Sequence, residues 1–298
     1  MIKVGFIGLG IMGYPMAKHL IKAGNEVYVN DINKESVEKA VQDGAISASL
    51  KEIGENCEVV FTILPNGEIV DNVLFGKDGI AEFMEKGIIC DLSSVTPLQS
   101  VSFYERLKAK GVKFVDAPVS GGEPGAINGT LAIMCGGDEE TVDELRPIMD
   151  CFSSSITYVG KSGSGNITKL ANQIIVNLNI VAVSEALVLA TKAGANPRLV
   201  YEAIRGGLAG SAVLDAKAPL IIERKFEPGG KISINSKDIN NVLSTAEDLD
   251  VPLPFTSMLQ KVQQELKEKG HFEEDHGAYV KYFEELANVQ VREKKENN

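Results

Sequence analysis

Six short, β-branched apolar runs alternate with amphipathic stretches up to about residue 160, the first run opens onto a glycine-rich turn, and strand signals fade beyond that point. These observations predict an α/β chain: a doubly wound sheet domain, then an all-α C-terminal domain, joined by a long helix. The runs are residues 3–7, 26–29, 59–63, 88–91, 113–116 and 131–134. Their nearly continuous apolar character, rather than alternation, is what strands covered on both faces require, as in a parallel sheet flanked by helices. Residues 14–23 and 34–42 have the length and apolar spacing of crossover helices. Farther on, residues 166–193 can form one helix of roughly 40 Å at 1.5 Å per residue. Helical periodicity returns at 197–204, 237–249, 256–269 and 278–287. Breaks at Gly206-Gly207, Pro228-Gly229-Gly230 and Val251-Pro252-Leu253-Pro254 separate these stretches. The expected division is therefore 1–163 and 164–298, with a solvated, frayed tail at 292–298.

Composition narrows the function. A length of 298 residues suits two domains, and 44% hydrophobic with 24% charged residues is ordinary for a globular chain. Lys and Arg number 30 against 41 Asp and Glu, a net charge of −11, so little basic surface is left to follow a nucleic-acid backbone. A chain this acidic can attract an acidic small molecule only through locally placed cations and amides. Cys57, Cys90, Cys135 and Cys151 are far apart with no C-x-x-C pair, which reads as core thiols in a reducing compartment. The N-terminus enters an apolar run without the features of a signal peptide, so a cytoplasmic location is expected. Residues 174–190 are apolar enough to raise a membrane question. Asn177, Asn179, Ser184 and Glu185 interrupt them, so they read as a helix buried inside protein and no membrane partner is expected.

The first candidate site is the turn Gly8-Leu9-Gly10-Ile11-Met12-Gly13, directly after the first strand and opening a helix. In that context Gly8 permits the tight turn, Gly10 lets a pyrophosphate approach the backbone, and Gly13 permits close helix packing. This is a Rossmann-type fingerprint. Asn30 and Asp31 end the second strand, where the Asp31 carboxylate can accept from both adenine-ribose hydroxyls and would repel a 2′-phosphate. NAD is therefore preferred to NADP. NADP stays possible because of the nearby Lys34, which reads first as a solvated helix start. Ligands in such folds bind beyond the carboxyl ends of strands, which singles out Leu64-Pro65, Ser94 and Ser120-Gly121-Gly122. Ser94 can serve a nicotinamide ribose or carboxamide, or cap the helix at Thr96-Pro97. Ser120-Gly121-Gly122 exposes successive amides suited to a carboxylate; the plainer alternative is a flexible loop.

Lys169, Asn172 and Gln173 stand at i, i+3 and i+4 near the start of the long helix and share one face. Flanked by Leu170 and Ala171, Lys169 is a candidate to protonate a developing alkoxide, although spacing alone favours a solvated helix-start lysine. Lys237-Asp238 with Asn240-Asn241 forms another polar cluster at an expected helix start, where Asp238 can stabilise the helix dipole. The segment His271-Phe272-Glu273-Glu274-Asp275-His276 invites a metal reading, but its histidines lie off one helical face. A solvated acidic turn is expected there and no metal.

Four of these stretches resemble successive signatures of the β-hydroxyacid dehydrogenases. They are Phe6-Ile7-Gly8-Leu9-Gly10-Ile11-Met12-Gly13, Asp116-Ala117-Pro118-Val119-Ser120-Gly121-Gly122, Gly165-Asn166-Ile167-Thr168-Lys169-Leu170-Ala171-Asn172-Gln173, and Lys237-Asp238. They follow the family's order and spacing over nearly the whole chain. Within the family, residues 203–211 and 213–219 resemble the tartronate semialdehyde reductases most, and the 3-hydroxyisobutyrate dehydrogenases next. The resemblance implies NAD(P)-dependent reduction of a short semialdehyde acid, with Lys169 as general acid. It places the substrate on Ser120, Gly121, Gly122, Asn172 and Gln173, Lys237 near the nicotinamide ribose, and Ser94 beside the nicotinamide. Many relatives carry Asn where this chain has Gln173, a longer amide of the same type. Relatives specific for NADP usually show Asn-Arg at Asp31-Ile32, which supports NAD. A homodimer or homotetramer is expected, because so apolar a central helix should bury part of itself against another chain.

Overall fold

The computed structural model describes residues 2–293. Of the expected frayed tail, Arg292 and Glu293 are exposed and the remainder lies outside the described residues. Two compact units, Met1–Lys169 and Leu170–Asn298, divide the chain.

The first unit begins β1 (Lys3–Ile7), α1 (Gly13–Lys22), β2 (Glu26–Asn30), α2 (Lys34–Gln42), β3 (Ile46–Ser47), α3 (Leu50–Asn56), β4 (Val59–Thr62), α4 (Gly67–Phe75) and α5 (Ile80–Phe83). It continues β5 (Ile88–Asp91), α6 (Pro97–Lys108), β6 (Lys113–Asp116), β7 (Val119–Ser120), α7 (Gly122–Asn128), β8 (Leu131–Gly137), α8 (Glu139–Met149) and β9 (Ser153–Gly160), and then enters α9 (Ser164–Lys192). The sheet runs β3-β2-β1-β4-β5-β6-β8-β7, with β9 on β8. Strands β1 to β6 pair in parallel, so the loops after β1, β4, β5 and β6 leave the same edge. The order reverses between β1 and β4, the place where open α/β sheets bind ligands.

The run at 131–134 is a strand, but it lies antiparallel to β6. Its approach is through the seven-residue α7, too short to be a crossover helix, so the chain turns back rather than crossing over. Strands β3, β7 and β9 have no counterpart among the expected runs. The first two are only two residues long, and β9 is Ser-rich and largely open to solvent.

Both sheet faces are covered, as the continuous apolar runs required. Phe6, Phe61, Met16, Leu20 and Phe152 pack on one face; Ile7, Val60, Ile53, Leu74 and Phe103 pack on the other. Phe61 meets Phe152 edge-on, with ring centroids 5.6 Å apart. Each such side chain contributes about 1.5–3 kcal/mol by leaving water. Helix starts follow local chemistry: Asn33 caps α2 by accepting from the Glu35 amide, and Thr96 forms a capping box with Gln99 ahead of Pro97. Cys57, Cys90 and Cys135 are buried within these layers and Cys151 is half-buried; none is bridged. Burial pushes the thiols of Cys57 and Cys135 up to about 12, and that of Cys90 well above its ordinary value.

The second unit continues α9 and adds α10 (Pro197–Ile204), α11 (Ala212–Glu223), α12 (Ile232–Asp248), α13 (Pro254–Glu268), a 3₁₀ turn (His276–Tyr279) and α14 (Val280–Ala287). Helix α11, capped by Ser211, carries Pro219 inside it, which masked its periodicity. Helix α12 starts at Ile232 rather than Lys237, so Asp238 lies in its second turn. It cannot act on the helix dipole as a first-turn carboxylate.

The long helix is not buried as expected. Only 33% of its apolar 18-residue stretch is buried, although that stretch is long and apolar enough to cross a membrane. One face, carrying Val176, Ile180, Val183 and Leu187, packs into the cores of the second unit. Ile175 and Leu189 point off that face and are 63% and 72% exposed. A single helical stripe is all that neighbouring helices of one chain can cover here.

Candidate active site

In the turn after β1, the Gly8 amide donates to the Asn30 carbonyl (3.0 Å), joining the ends of β1 and β2. The Leu9 amide donates to Asp31 Oδ2 (2.5 Å), and the Asn33 amide to Asp31 Oδ1 (2.7 Å). Asn30 is anchored by its own amide, which donates to the Ala48 carbonyl (2.6 Å). Asp31 is thus held at the mouth of the turn, beside a fully exposed Ile32 that offers no cation. The three glycines do different work. Gly8 has φ +96°, and a Cβ there would stand 2.2 Å from the Ile63 carbonyl oxygen; a Cβ on Gly13 would stand 1.9 Å from the Gly8 oxygen. At Gly10 a Cβ would meet nothing within 4 Å. Nothing in the protein itself requires a glycine there, so the open space is room for a ligand. Met12 provides no side-chain cap for α1, whose first turn carries no acidic residue. These features fit a dinucleotide phosphate: open backbone, uncapped helix amides, and a carboxylate at the end of β2.

At the next strand ends, Leu64 is half-buried, Pro65 is exposed, and the Leu64 amide donates to Ser93 Oγ (2.9 Å). Ser94 is half-buried beside it, and Thr96 rather than Ser94 caps α6, which removes the capping alternative for Ser94. Gly121 and Gly122 are exposed with φ +132° and +61°, a conformation open to glycine and strained for other residues. Ser120, half-buried, leads into them.

Lys169 is 9% exposed, so the structure overturns its reading as a solvated helix-start lysine. The start of its helix rests on Asp116, whose Oδ1 accepts from the Gly163 amide (2.8 Å) and whose Oδ2 accepts from the Asn166 amide (3.0 Å). Burial pushes the Asp116 carboxyl up to about 7 against the pull of those amides.

Within the second unit, Gln173 donates to Asp238 Oδ2 (2.5 Å), and Lys237 Nζ lies 3.1 Å from Asp238 Oδ1. One buried carboxylate therefore joins two expected site residues. Asn172 Nδ2 donates to Gln173 Oε1 (3.2 Å). Asn177 donates to the Gln173 carbonyl (2.9 Å) and accepts from the buried Tyr279 hydroxyl (2.9 Å), which accepts from Gln263 (2.7 Å). Sequence reasoning missed this network. Asn177, at i+4 from Gln173 on an apolar helix, was its one visible signal.

The solvated turn expected at 271–276 holds only in part: His271, Phe272, Glu273 and Glu274 are exposed or half-buried, whereas Asp275 and His276 are buried. Asp275 is 1% exposed and accepts from Lys217 (2.9 Å) and from the amides of Gly230 (2.9 Å) and Gly277 (2.8 Å). No group of three or more His, Cys, Asp or Glu gathers into a metal-binding cluster among the described residues. Burial, then repulsion from Lys217, pushes the His276 imidazole down to about 4, against attraction from Asp275. A histidine lowered on folding contributes stability above its unfolded value, near 6.5, and loses it as pH falls toward 4. Urea unfolding at pH 7.5 and pH 4.5 should therefore show lower stability at the lower pH, with this residue contributing to the loss. His276→Gln should flatten that part of the slope, and an unchanged slope would refute the assignment.

Residues 3–160 match the family model described as the NAD binding domain of 6-phosphogluconate dehydrogenase. Residues 163–283 match the family model described as NAD-binding of NADP-dependent 3-hydroxyisobutyrate dehydrogenase. The 2-hydroxy-3-oxopropionate reductase of Escherichia coli is 41% identical over 289 residues, covering 96% of this chain and 99% of its own. The chain belongs to the β-hydroxyacid dehydrogenase family. It is an NAD(P)-dependent oxidoreductase acting on CH–OH groups. The dehydrogenase is also 34% identical to the 2-(hydroxymethyl)glutarate dehydrogenase of Eubacterium barkeri, covering 97% of each chain. Among solved structures, Mycobacterium tuberculosis 3-hydroxyisobutyrate dehydrogenase with L-serine superposes with TM-score 0.89 at 27% identity, covering 95% of this chain and 99% of that one.

Proposed function

We propose that this dehydrogenase reduces a short semialdehyde acid, foremost 2-hydroxy-3-oxopropanoate (tartronate semialdehyde), reversibly to glycerate, with NADH preferred to NADPH. The observation that carries the reading is the 41% identity to the E. coli reductase across 96% of the chain. Asp31 beside the exposed Ile32 supports the preference for NADH. When bound, the nicotinamide supplies the hydride that reaches the aldehyde carbon. Lys169 gives its proton to the carbonyl oxygen as negative charge develops there, and takes it back in the oxidative direction. Ser120 and the amides of Gly121 and Gly122 bind the substrate carboxylate, while Asn172 and Gln173 hydrogen-bond its oxygen-bearing groups. Gly8 to Gly13, Asn30, Asp31, Leu64, Pro65 and Ser94 line the cofactor, with Lys237 near the nicotinamide ribose.

In this reading residues 1–163 serve the cofactor and residues 164–298 serve the substrate and self-association. The outward apolar side of α9, with Ile175 and Leu189, supports a homodimer or homotetramer. Four unbridged cysteines fit a cytoplasmic setting. The family model over residues 163–283 supports a second substrate, the methylmalonate semialdehyde of a 3-hydroxyisobutyrate dehydrogenase. Ratios of kcat/KM across tartronate, methylmalonate and succinate semialdehydes, each with NADH and with NADPH, decide between them. Tartronate semialdehyde with NADH is expected to lead by at least about tenfold, the scale one substrate contact provides. A lead for methylmalonate semialdehyde would transfer the assignment.

A further inference from the structure

Of the first-unit loops that carry candidate cofactor and substrate residues, those after β5 and β6 are tied to the start of α9 by side chains withdrawn from water, and the loop after β4 is tied in turn to the one after β5. Asp116 ends β6, four residues before Ser120, and grips the Gly163 and Asn166 amides. Asn166 Oδ1 accepts from the Val95 amide (3.0 Å), next to Ser94, and its Nδ2 donates to Ser100 Oγ on α6 (2.9 Å). Asp91, in register with Asp116, accepts from Thr62 Oγ1 (2.8 Å) and the Ser93 amide (3.1 Å), and Ser93 Oγ accepts from Leu64. Asp91, Ser100, Asp116 and Asn166 are all 0% exposed. The joint is tight as well as polar. A Cβ on Gly165 would lie 2.3 Å from the Asp116 carbonyl oxygen and 2.5 Å from that of Met134.

Such a joint is an expensive way to glue a fold. A buried carboxylate gives up hydration that two amide hydrogen bonds only partly replace, and an apolar contact would hold a helix end at less cost. What directed hydrogen bonds add is a fixed rotation and height. Asn166 stands one helical turn before Lys169, so its two side-chain bonds and its amide set the azimuth and the axial register of the lysine.

We propose that Asp116 and Asn166 are positioning residues for Lys169, fixing the first turns of α9 against the ends of β5 and β6 so that the ammonium stands where the reacting oxygen will be. This rests on the reading of Lys169 as proton donor. Asp116→Asn keeps the volume but turns an amide donor toward an amide donor, breaking one of the two grips. Ser100→Ala removes the acceptor of Asn166, together with a long intrahelical bond to the Thr96 carbonyl (3.5 Å), and lies outside the substrate and cofactor residues of the proposed site.

The test measures kcat, NADH affinity by fluorescence, the thermal midpoint, and the primary isotope effect with 4-deuterated NADH, using 2-hydroxy-3-oxopropanoate as substrate. Displacement of a catalytic group by about 1 Å costs on the order of a hundredfold in rate, so kcat should fall by about that in Asp116→Asn and several-fold in Ser100→Ala. NADH affinity should stay within about twofold, and the isotope effect should rise as the chemical step becomes limiting. A merely structural role would lower midpoint, affinity and turnover together and leave the isotope effect unchanged, which overturns the proposal. Wild-type kcat in a folded Ser100→Ala together with wild-type kcat in Asp116→Asn also overturns it. If Asp116→Asn does not fold, Ser100→Ala decides alone. Lys169→Ala runs alongside: if it retains turnover, the proton-donor reading itself fails, whereas an inactive Lys169→Ala beside fully active Asp116→Asn and Ser100→Ala refutes only the positioning role.

Discussion

Replacing Lys169 by Ala should lower kcat for semialdehyde reduction by roughly a hundred- to ten-thousand-fold, the usual worth of a positioned general acid, with NADH binding nearly unchanged. The expectation follows from burial and chemistry together. Only 9% of the residue is exposed, so its ammonium is held among protein atoms, and loss of the amine leaves no equivalent proton source on that turn of α9. Lys169→Arg should fail almost as badly, because a guanidinium keeps its proton at any working pH. Single-turnover absorbance at 340 nm, a wavelength chosen because NADH absorbs at about that value and NAD does not, reads the step directly. Turnover like the wild type in either variant would remove Lys169 from the mechanism.

Gly10→Val should weaken NADH binding by about a hundredfold, close to 2.7 kcal/mol, while moving the thermal midpoint little. The contrast among the three fingerprint glycines makes this informative. Side chains at Gly8 and Gly13 would collide with backbone oxygens 2.2 and 1.9 Å away, so substitutions there damage the protein before any ligand arrives. At Gly10 the space is open, and only a bound molecule can object to a side chain. Calorimetric titration of NADH into Gly10→Val, beside Gly13→Ala as the destabilised control, separates the two roles. Unchanged affinity in Gly10→Val would mean that the pyrophosphate lies elsewhere.

Most of the sheet was legible because its strands are covered on both faces, which leaves continuous β-branched runs such as Val59–Thr62. Two helices with a side-chain cap at the start, α2 after Asn33 and α10 from Pro197, were readable to the residue. The direction of β8 was not legible, since burial pattern carries no information about whether a neighbour runs parallel. Nor was α11, where Pro219 breaks the periodic signal that the tertiary contacts restore. In the site, the glycine turn and Asp31 were visible because their chemistry is local. The bonds of Asp116 to Asn166 and of Gln173 to Asp238 span 50 and 65 residues, and no spacing rule reaches that far. His276 was misjudged for the same reason: its acidic neighbours suggested solvent, yet Gly230, distant in sequence, packs against its ring and Lys217 binds the adjacent Asp275.

The thiols give the fold a chemical character of their own. Only a thiolate attacks an electrophile or a peroxide, and burial keeps Cys57, Cys90 and Cys135 protonated far above neutral pH. Alkylating agents and oxidants therefore find these sulfurs inert while the fold is intact, and even at the half-buried Cys151 burial pushes the thiol up. Among the described residues, this NAD(P)-dependent dehydrogenase thus presents no thiol poised to condense with a carbonyl compound or to answer to a redox cofactor.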